Sequence, residues 1–169
     1  MRRIWVAIVS VVLAACSPSP DAGNASPPAG DDAAGAIAKH PVSGLKIIPL
    51  TVVGPKRSHS FRVELANTPA AQARGLMFRT EMDDDEGMLF PSETPEPRSF
   101  WMKNTPLSLD IIFIGVDGRI SNIAANTTPY SLESVLSEGA ASAVLELRGG
   151  RAAELGIAPG DRVEYRLPQ

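Results

Sequence analysis

Residues 99–125 read SFWMKNTPLSLDIIFIGVDGRISNIAA, and most of the architecture can be argued outward from them. Thr105-Pro106 breaks the stretch, because proline has no N–H to give a ladder and restricts the residue before it. On either side, SFWMKN and LDIIFIGV have the length and composition of strands. Asp117-Gly118 then separates DIIFIGV from RISNIAA. Asp-Gly between two apolar runs is a strong hairpin signal, and it predicts a type I′ turn with positive φ at both central residues.

The flanks extend the same pattern. SFRVELA (60–66) alternates Phe61, Val63 and Leu65 with Arg62 and Glu64, the signature of a half-buried strand. In NTPAAQARGLM, Thr68 suits an N-cap, Pro69 the first helical position and Gly75 the close of a short helix. EGMLFPSE (86–93) is a compact strand ended by Pro91, and SAVLELRGG (142–150) is a buried strand. RAAELGI is a second short helix ending at Gly156, and RVEYRL (162–167) is a last alternating strand. Six or more mostly antiparallel strands with two short helices predict an α+β, β-rich domain over 44–169. The expected form is one compact unit, a partly closed barrel or sandwich.

Upstream, the chain changes character. MRRIWVAIVSVVLAACSPSP opens on Arg2-Arg3 and an apolar run from Ile4 to Ala15. That run is well short of the roughly 20 residues that cross a bilayer, so it reads as a signal-peptide core over residues 1–15. Leu13-Ala14-Ala15-Cys16 resembles the lipobox of bacterial lipoproteins, in which the cysteine is acylated and becomes the mature N-terminus. Two or three acyl chains anchor stably where one would be reversible. Ser17 after the cysteine resembles the sorting signal for the outer membrane, facing the periplasm. Residues 16–43 after it are Ser, Pro, Ala, Gly and Asp with little to bury, which predicts a disordered linker.

Composition narrows the chemistry. In 169 residues, 44% are hydrophobic and 21% charged, with a net charge of −3, so a core is available and no basic stripe suggests nucleic acid. Loss of residues 1–15 removes Arg2 and Arg3 and lowers −3 to −5. Cys16 is the single cysteine, which excludes an internal disulfide and a cysteine metal cluster. His40 falls in the predicted linker and His59 beside a predicted loop, so no histidine pair is set up for a metal and no Ser-His-Asp arrangement is evident. EMDDDEG (81–87) lacks the alternating ligands of a calcium loop and reads as a solvated loop. No cofactor motif is present.

RGLMFR (74–79), GMLF (87–90), FWMKNT (100–105), LDIIFI (109–114), VLEL with GG (144–150) and LGIAPGDRV (155–163) occur in this order. Together they resemble the bacterial and archaeal family of domain of unknown function 192, over roughly residues 45–167. The resemblance implies a compact, mostly β domain, often exported or membrane-attached. It implies no activity and no catalytic residue.

Candidate site residues therefore come from side-chain chemistry. Alternation along FWMKN puts Phe100, Met102 and Asn104 on one side and Trp101 and Lys103 on the other. One reading makes Trp101 a stacking plate for a flat ligand, with Lys103 and Asn104 as oriented donors. In the other, Trp101 packs over the sheet, Lys103 pairs with Asp110 or Glu146, and Asn104 stabilises the turn. Arg74 and Arg79 bracket GLMF; Arg79 either grips an anion or ties the helix end to Asp110 or Glu146. Asp110 and Glu146, set among apolar residues, predict cationic partners. Gly149-Gly150 ahead of a short helix is a weak anion-cradle pattern.

Three functions stay open. The leading one is a lipid-anchored binding module for a ligand or envelope partner, using Arg79, Trp101, Lys103, Asn104, Asp110 and Glu146. The second is an envelope hydrolase or transferase using Asp110 and Glu146 as acid and base. The third is a structural interaction protein in which the motif is all core.

Overall fold

The computed structural model of the chain describes residues 38–168. The predicted signal peptide, Cys16 and the predicted linker up to residue 37 lie outside the described residues. Nine elements follow in order: β1 (Ile47–Val53), β2 (Ser58–Leu65), α1 (Pro69–Arg74), β3 (Glu86–Phe100), β4 (Leu109–Gly115), β5 (Ile120–Ala124), β6 (Val135–Arg148), α2 (Arg151–Leu155) and β7 (Arg162–Tyr165).

The seven strands form one sheet in the order β5-β4-β6-β3-β2-β1-β7. All neighbours are antiparallel except β2 and β3. A parallel pair needs a crossover, and α1 lies in it. Thr68 caps α1 by accepting from Ala71 N, Pro69 opens it, and Gly75 closes it at φ 49°, as its sequence predicts.

The sheet curls into a half-barrel. At one end its outermost strands meet: Ile120 N donates to Asp161 O at 2.9 Å and Val163 N to Gly118 O at 2.9 Å. The inner face carries Leu50, Val63, Leu89, Ile112, Leu145, Leu147 and Val163, with Ala152 and Ile157 from the α2 region packed into it. The outer face carries Met88, Phe90, Ile111, Phe113 and Val144, and is covered by Leu76 and Met102. A sheet buried on both faces explains why β4 is apolar at six of its seven positions, Asp110 being the exception. Burial of each such side chain contributes about 1.5–3 kcal/mol.

Four local expectations change. The Asp117-Gly118 turn is not type I′, since only Gly118 has positive φ (74°). Gly118 N donates to Gly115 O at 3.1 Å, which leaves a longer loop with a left-handed glycine at its end. Pro91 does not end its strand: β3 continues to Phe100 through register shifts after Pro91 and Pro97 that accommodate the prolines. SFWMKN is strand only as far as Phe100. Residues 38–43, expected in the linker, are folded: Lys39 bridges to Lys46, and His40 N donates to Leu45 O at 2.8 Å.

Gly87 is required where β3 meets β6. A Cβ there would lie 2.6 Å from Glu146 O and 2.9 Å from Leu147 Cδ2. This close approach sets β3 against the strand that carries Glu146.

Candidate functional site

Past Phe100 the chain leaves the sheet and turns, yet the predicted alternation persists. Met102 is buried at 3% exposure, while Trp101 is 47% exposed. Lys103 Nζ lies 5.1 Å from the Trp101 ring, so its partner is the indole face and not Asp110 or Glu146. Asn104 does shape the turn, at φ 55°.

Two further loops fasten onto this turn. Phe78 N donates to Asn104 O at 2.7 Å, Tyr130 N to Thr105 O at 3.1 Å, and Met102 N to Ser131 O at 2.9 Å. Phe78 and Tyr130 take positive φ (64° and 61°), a conformation disfavoured for bulky residues. Each costs on the order of 1–3 kcal/mol and persists because the surrounding contacts over-determine it. As a result Phe78, Trp101, Tyr130 and Leu132 are all exposed around one turn.

Beside Trp101 is a cleft of about 260 Å³, lined by Phe90, Phe100, Trp101, Thr105 and Glu146, with Arg74 and Arg98 also on its walls. Phe90 and Phe100 meet edge to face, with centroids 5.1 Å apart. Glu146 is 5% exposed, and its register partners are Met88 on β3 and Ile111 on β4. Neither side chain can donate to it. Its Oε2 has no hydrogen-bond partner among the described residues. Burial alone pushes its carboxyl up to about 8, so Glu146 is largely neutral at pH 7. No arginine or lysine among the described residues pairs with it, contrary to expectation. Arg98 instead donates to Ser92 Oγ at 2.6 Å and Gln72 Oε1 at 3.3 Å, and its guanidinium carbon lies 5.7 Å from the Phe100 centroid.

Asp110 also has no cationic partner among the described residues and is satisfied differently. Its Oδ1 accepts from Asn126 N at 2.8 Å and Gly150 N at 2.9 Å, and its Oδ2 from Ala152 N at 2.8 Å. The Gly149-Gly150 pattern does cradle an anion, and that anion is the chain's own Asp110. Thr127 supports the same loop, donating to Leu109 O at 2.9 Å and accepting from Leu109 N at 3.2 Å.

Arg79 pairs with neither Asp110 nor Glu146. It is buried, and its Nη2 donates to Glu64 Oε1 at 2.8 Å and Oε2 at 3.1 Å. His40 Nε2 lies 3.4 Å from Arg79 Nη1, and Ser43 Oγ donates to Glu64 Oε2. The cluster pins residues 40–43 to β2 and removes Arg79 from the cleft. The acidic loop is likewise held by arginines: Arg62 donates to Asp85 at 2.9 Å and Arg148 to Asp84 at 2.7 Å.

Of the six candidates, then, Trp101 and Glu146 share a cleft, Lys103 and Asn104 sit on the turn at its rim, and Asp110 and Arg79 lie in separate buried networks. Glu64, His40, Phe78, Phe90 and Tyr130 were not singled out. Glu64 had no local signal, because its alternation with Val63 and Leu65 reads as solvent-facing. Phe78 and Tyr130 had none, since their exposure follows from loop geometry.

A family model described as Uncharacterized ACR, the domain of unknown function 192, matches residues 51–165. A crystal structure of a protein of unknown function from Novosphingobium aromaticivorans is 56% identical, with TM-score 0.75, covering 78% of this chain and 94% of that one. A candidate transcription regulator from Sinorhizobium meliloti is 39% identical, with TM-score 0.70, covering 72% of this chain and 95% of its own. No curated protein matches.

Proposed function

The chain belongs to the family of domain of unknown function 192, and from that premise we propose that it is a binding module of the cell envelope. It takes its ligand in the cleft beside Trp101. One observation carries this reading: Glu146, buried and without a hydrogen-bond partner at Oε2 among the described residues, lines an aromatic-walled cleft. Buried polar groups are almost always satisfied, and an exception is costly unless something else supplies the bond. The strained residues Phe78 and Tyr130, fastened by backbone hydrogen bonds to Asn104 and Thr105 in the turn that follows Trp101, support the reading. The exposed cluster of Phe78, Trp101, Tyr130 and Leu132 favours a second reading, a protein partner covering this end of the domain.

In the proposed arrangement Cys16 is acylated and holds the module at the outer membrane, facing the periplasm. The support is the sequence from Arg2 to Cys16. Labelled palmitate should enter the chain and fail to enter Cys16→Ala; equal labelling of both removes the anchor. The transcription-regulator description of the Sinorhizobium neighbour is not carried over, because a net charge of −3 opposes contact with phosphates.

Melting the protein against a panel of small cations, anions, sugars and nucleotides tests the binding function. A ligand that binds only the folded state at a hundredfold excess over its Kd adds about 2.7 kcal/mol of stability. The expected result is a shift that Trp101→Ala abolishes. Shifts indifferent to Trp101 would place binding elsewhere.

A further inference from the structure

We propose that the cleft beside Trp101 binds a small organic acid, a carboxylate on a short apolar or aromatic body, with the carboxylate held by Arg74 and Arg98. This rests on the binding function above and names the ligand class.

The charges around the cleft do not balance. Every ion pair among the described residues takes its cation from His40, Arg62, Arg79, Arg148 or Arg151. None of the acids in those pairs lines the cleft. Arg74 and Arg98 do line it, from the last turn of α1 and the end of β3, and they belong to no pair. Among the described residues Glu146 is the one acid on the same walls. Even counted as ionised, it would leave two guanidiniums against one carboxylate. At pH 7 it is largely neutral, because burial raises its carboxyl to about 8, and the excess is larger still. Lys103, stacked on the Trp101 ring at 5.1 Å, adds positive charge at the rim.

Arg98 is fixed in advance of any ligand. It is half-buried, its Nη1 donates to Ser92 Oγ at 2.6 Å and its Nη2 to Gln72 Oε1 at 3.3 Å, and its guanidinium carbon lies 5.7 Å from the Phe100 centroid. All three partners are neutral, so they hold the guanidinium without cancelling its charge. A guanidinium carries more N–H donors than these two bonds use. A carboxylate matches its planar donors, and charge-assisted bonds of this kind are about twice as strong as neutral ones.

The walls fit the rest of such a molecule. Phe90, Phe100 and Trp101 offer ring faces and edges to an apolar body. Glycine at position 75 leaves the Phe90 ring edge uncovered, since a Cβ there would lie 3.5 Å from Phe90 Cζ. At about 260 Å³ the cleft is below the roughly 300–1,000 Å³ of sites for drug-sized ligands, so the body is small. An amine would bring a cation to a cationic lining. A neutral ligand would give the arginines no charged acceptor.

The experiment is calorimetric titration of the full chain at pH 7 with benzoate. Benzylamine and benzyl alcohol serve as cationic and uncharged counterparts, and acetate as the acid without a body. The expected result is benzoate binding about tenfold tighter than each of the other three. Arg98→Gln and Arg74→Gln should each weaken benzoate about fivefold or more and leave benzyl alcohol unchanged. Arg74→Gln alters an exposed side chain outside every ion pair, so it stands as the test if Arg98→Gln fails to fold. Benzoate binding that both variants leave unchanged would overturn the role of the arginines. Tighter benzylamine or benzyl alcohol binding that Trp101→Ala abolishes would overturn the anion and keep the site. Acetate binding as tightly as benzoate would overturn the apolar body. No binding of benzoate would overturn the carboxylate, and the further absence of any Trp101-dependent shift in the wider melting panel would overturn the binding function with it.

Discussion

Asp110 and Glu146 lie on adjacent strands one register step apart, with Asp110 opposite Leu147 and Ile111 opposite Glu146. Because side chains alternate across a strand, the two carboxyls project from opposite faces of the sheet. Asp110 enters the inner face, where α2 begins; Glu146 enters the outer face and its cleft. They cannot act on one substrate as acid and base, which removes the geometry on which the hydrolase or transferase alternative depended. The sheet separates a carboxylate fully bonded by the backbone from a carboxyl that is not.

Asp110→Ala should destabilise the domain strongly. It strips the acceptor from three backbone N–H groups and leaves them buried or half-buried. Hydrogen bonds to charged groups contribute about 1.5–3 kcal/mol each, and the losses overlap, so about 3–5 kcal/mol is expected. Urea denaturation measures it. A change under 1 kcal/mol would mean that the loops after β5 and before α2 hold without Asp110.

Glu146→Gln should change the pH dependence of stability in a defined direction. The folded carboxyl is raised to about 8 from an ordinary 4.5, so its contribution is fully present below about pH 4.5 and is lost as pH rises through 8. Each pH unit in that window is worth about 1.4 kcal/mol. Relative to the variant, the wild type should weaken by a few kcal/mol between pH 5 and 8. Parallel stability curves for the two proteins would show that Glu146 ionises normally.

The buried Arg79–Glu64 pair should behave as a unit. Arg79→Met alone leaves an uncompensated carboxylate on β2 and should cost about 3–5 kcal/mol. Adding Glu64→Leu should recover most of that. Hydrogen exchange at His40 and Gly44 amides should rise in the single variant, because the cluster holds residues 40–43 against the sheet. Additive losses in the double variant would mean that no coupling exists.

Asn104 separates turn geometry from side-chain contacts. At φ 55°, glycine fits without strain, so Asn104→Gly should be within about 1 kcal/mol of wild type. Asn104→Val, β-branched, should cost about 1–3 kcal/mol and loosen the hydrogen bond to Phe78 N. Thermal melting of both variants decides it; equal losses would show that the side chain and not the backbone matters.

Much of the fold is legible in the sequence. The Thr68-Pro69 start and Gly75 stop of α1 and the Gly156 end of α2 rest on interactions within a few residues and hold in the structure, whereas the alternation in FRVEL holds at Arg62 and fails at Glu64, which is buried against Arg79. The division of Trp101 and Lys103 from Met102 holds too. The failures share a cause. Pro91 reads as a strand end in the sequence because the register shifts that absorb it depend on β6. His40 reads as linker in the sequence because its burial depends on Glu64 and Arg79, 24 and 39 residues away.

For this chain, then, the amino-acid sequence determined the elements, their polarity patterns and the family, since these follow from local sterics and hydrophobic periodicity. It also marked Asp110 and Glu146 as enclosed, though not Glu64 or His40. Only the tertiary structure decided what each one meets. Asp110 found backbone amides, Arg79 found Glu64, and Glu146 found no partner at Oε2, because strand register and the curl of the sheet set those distances and no periodicity along the chain encodes them.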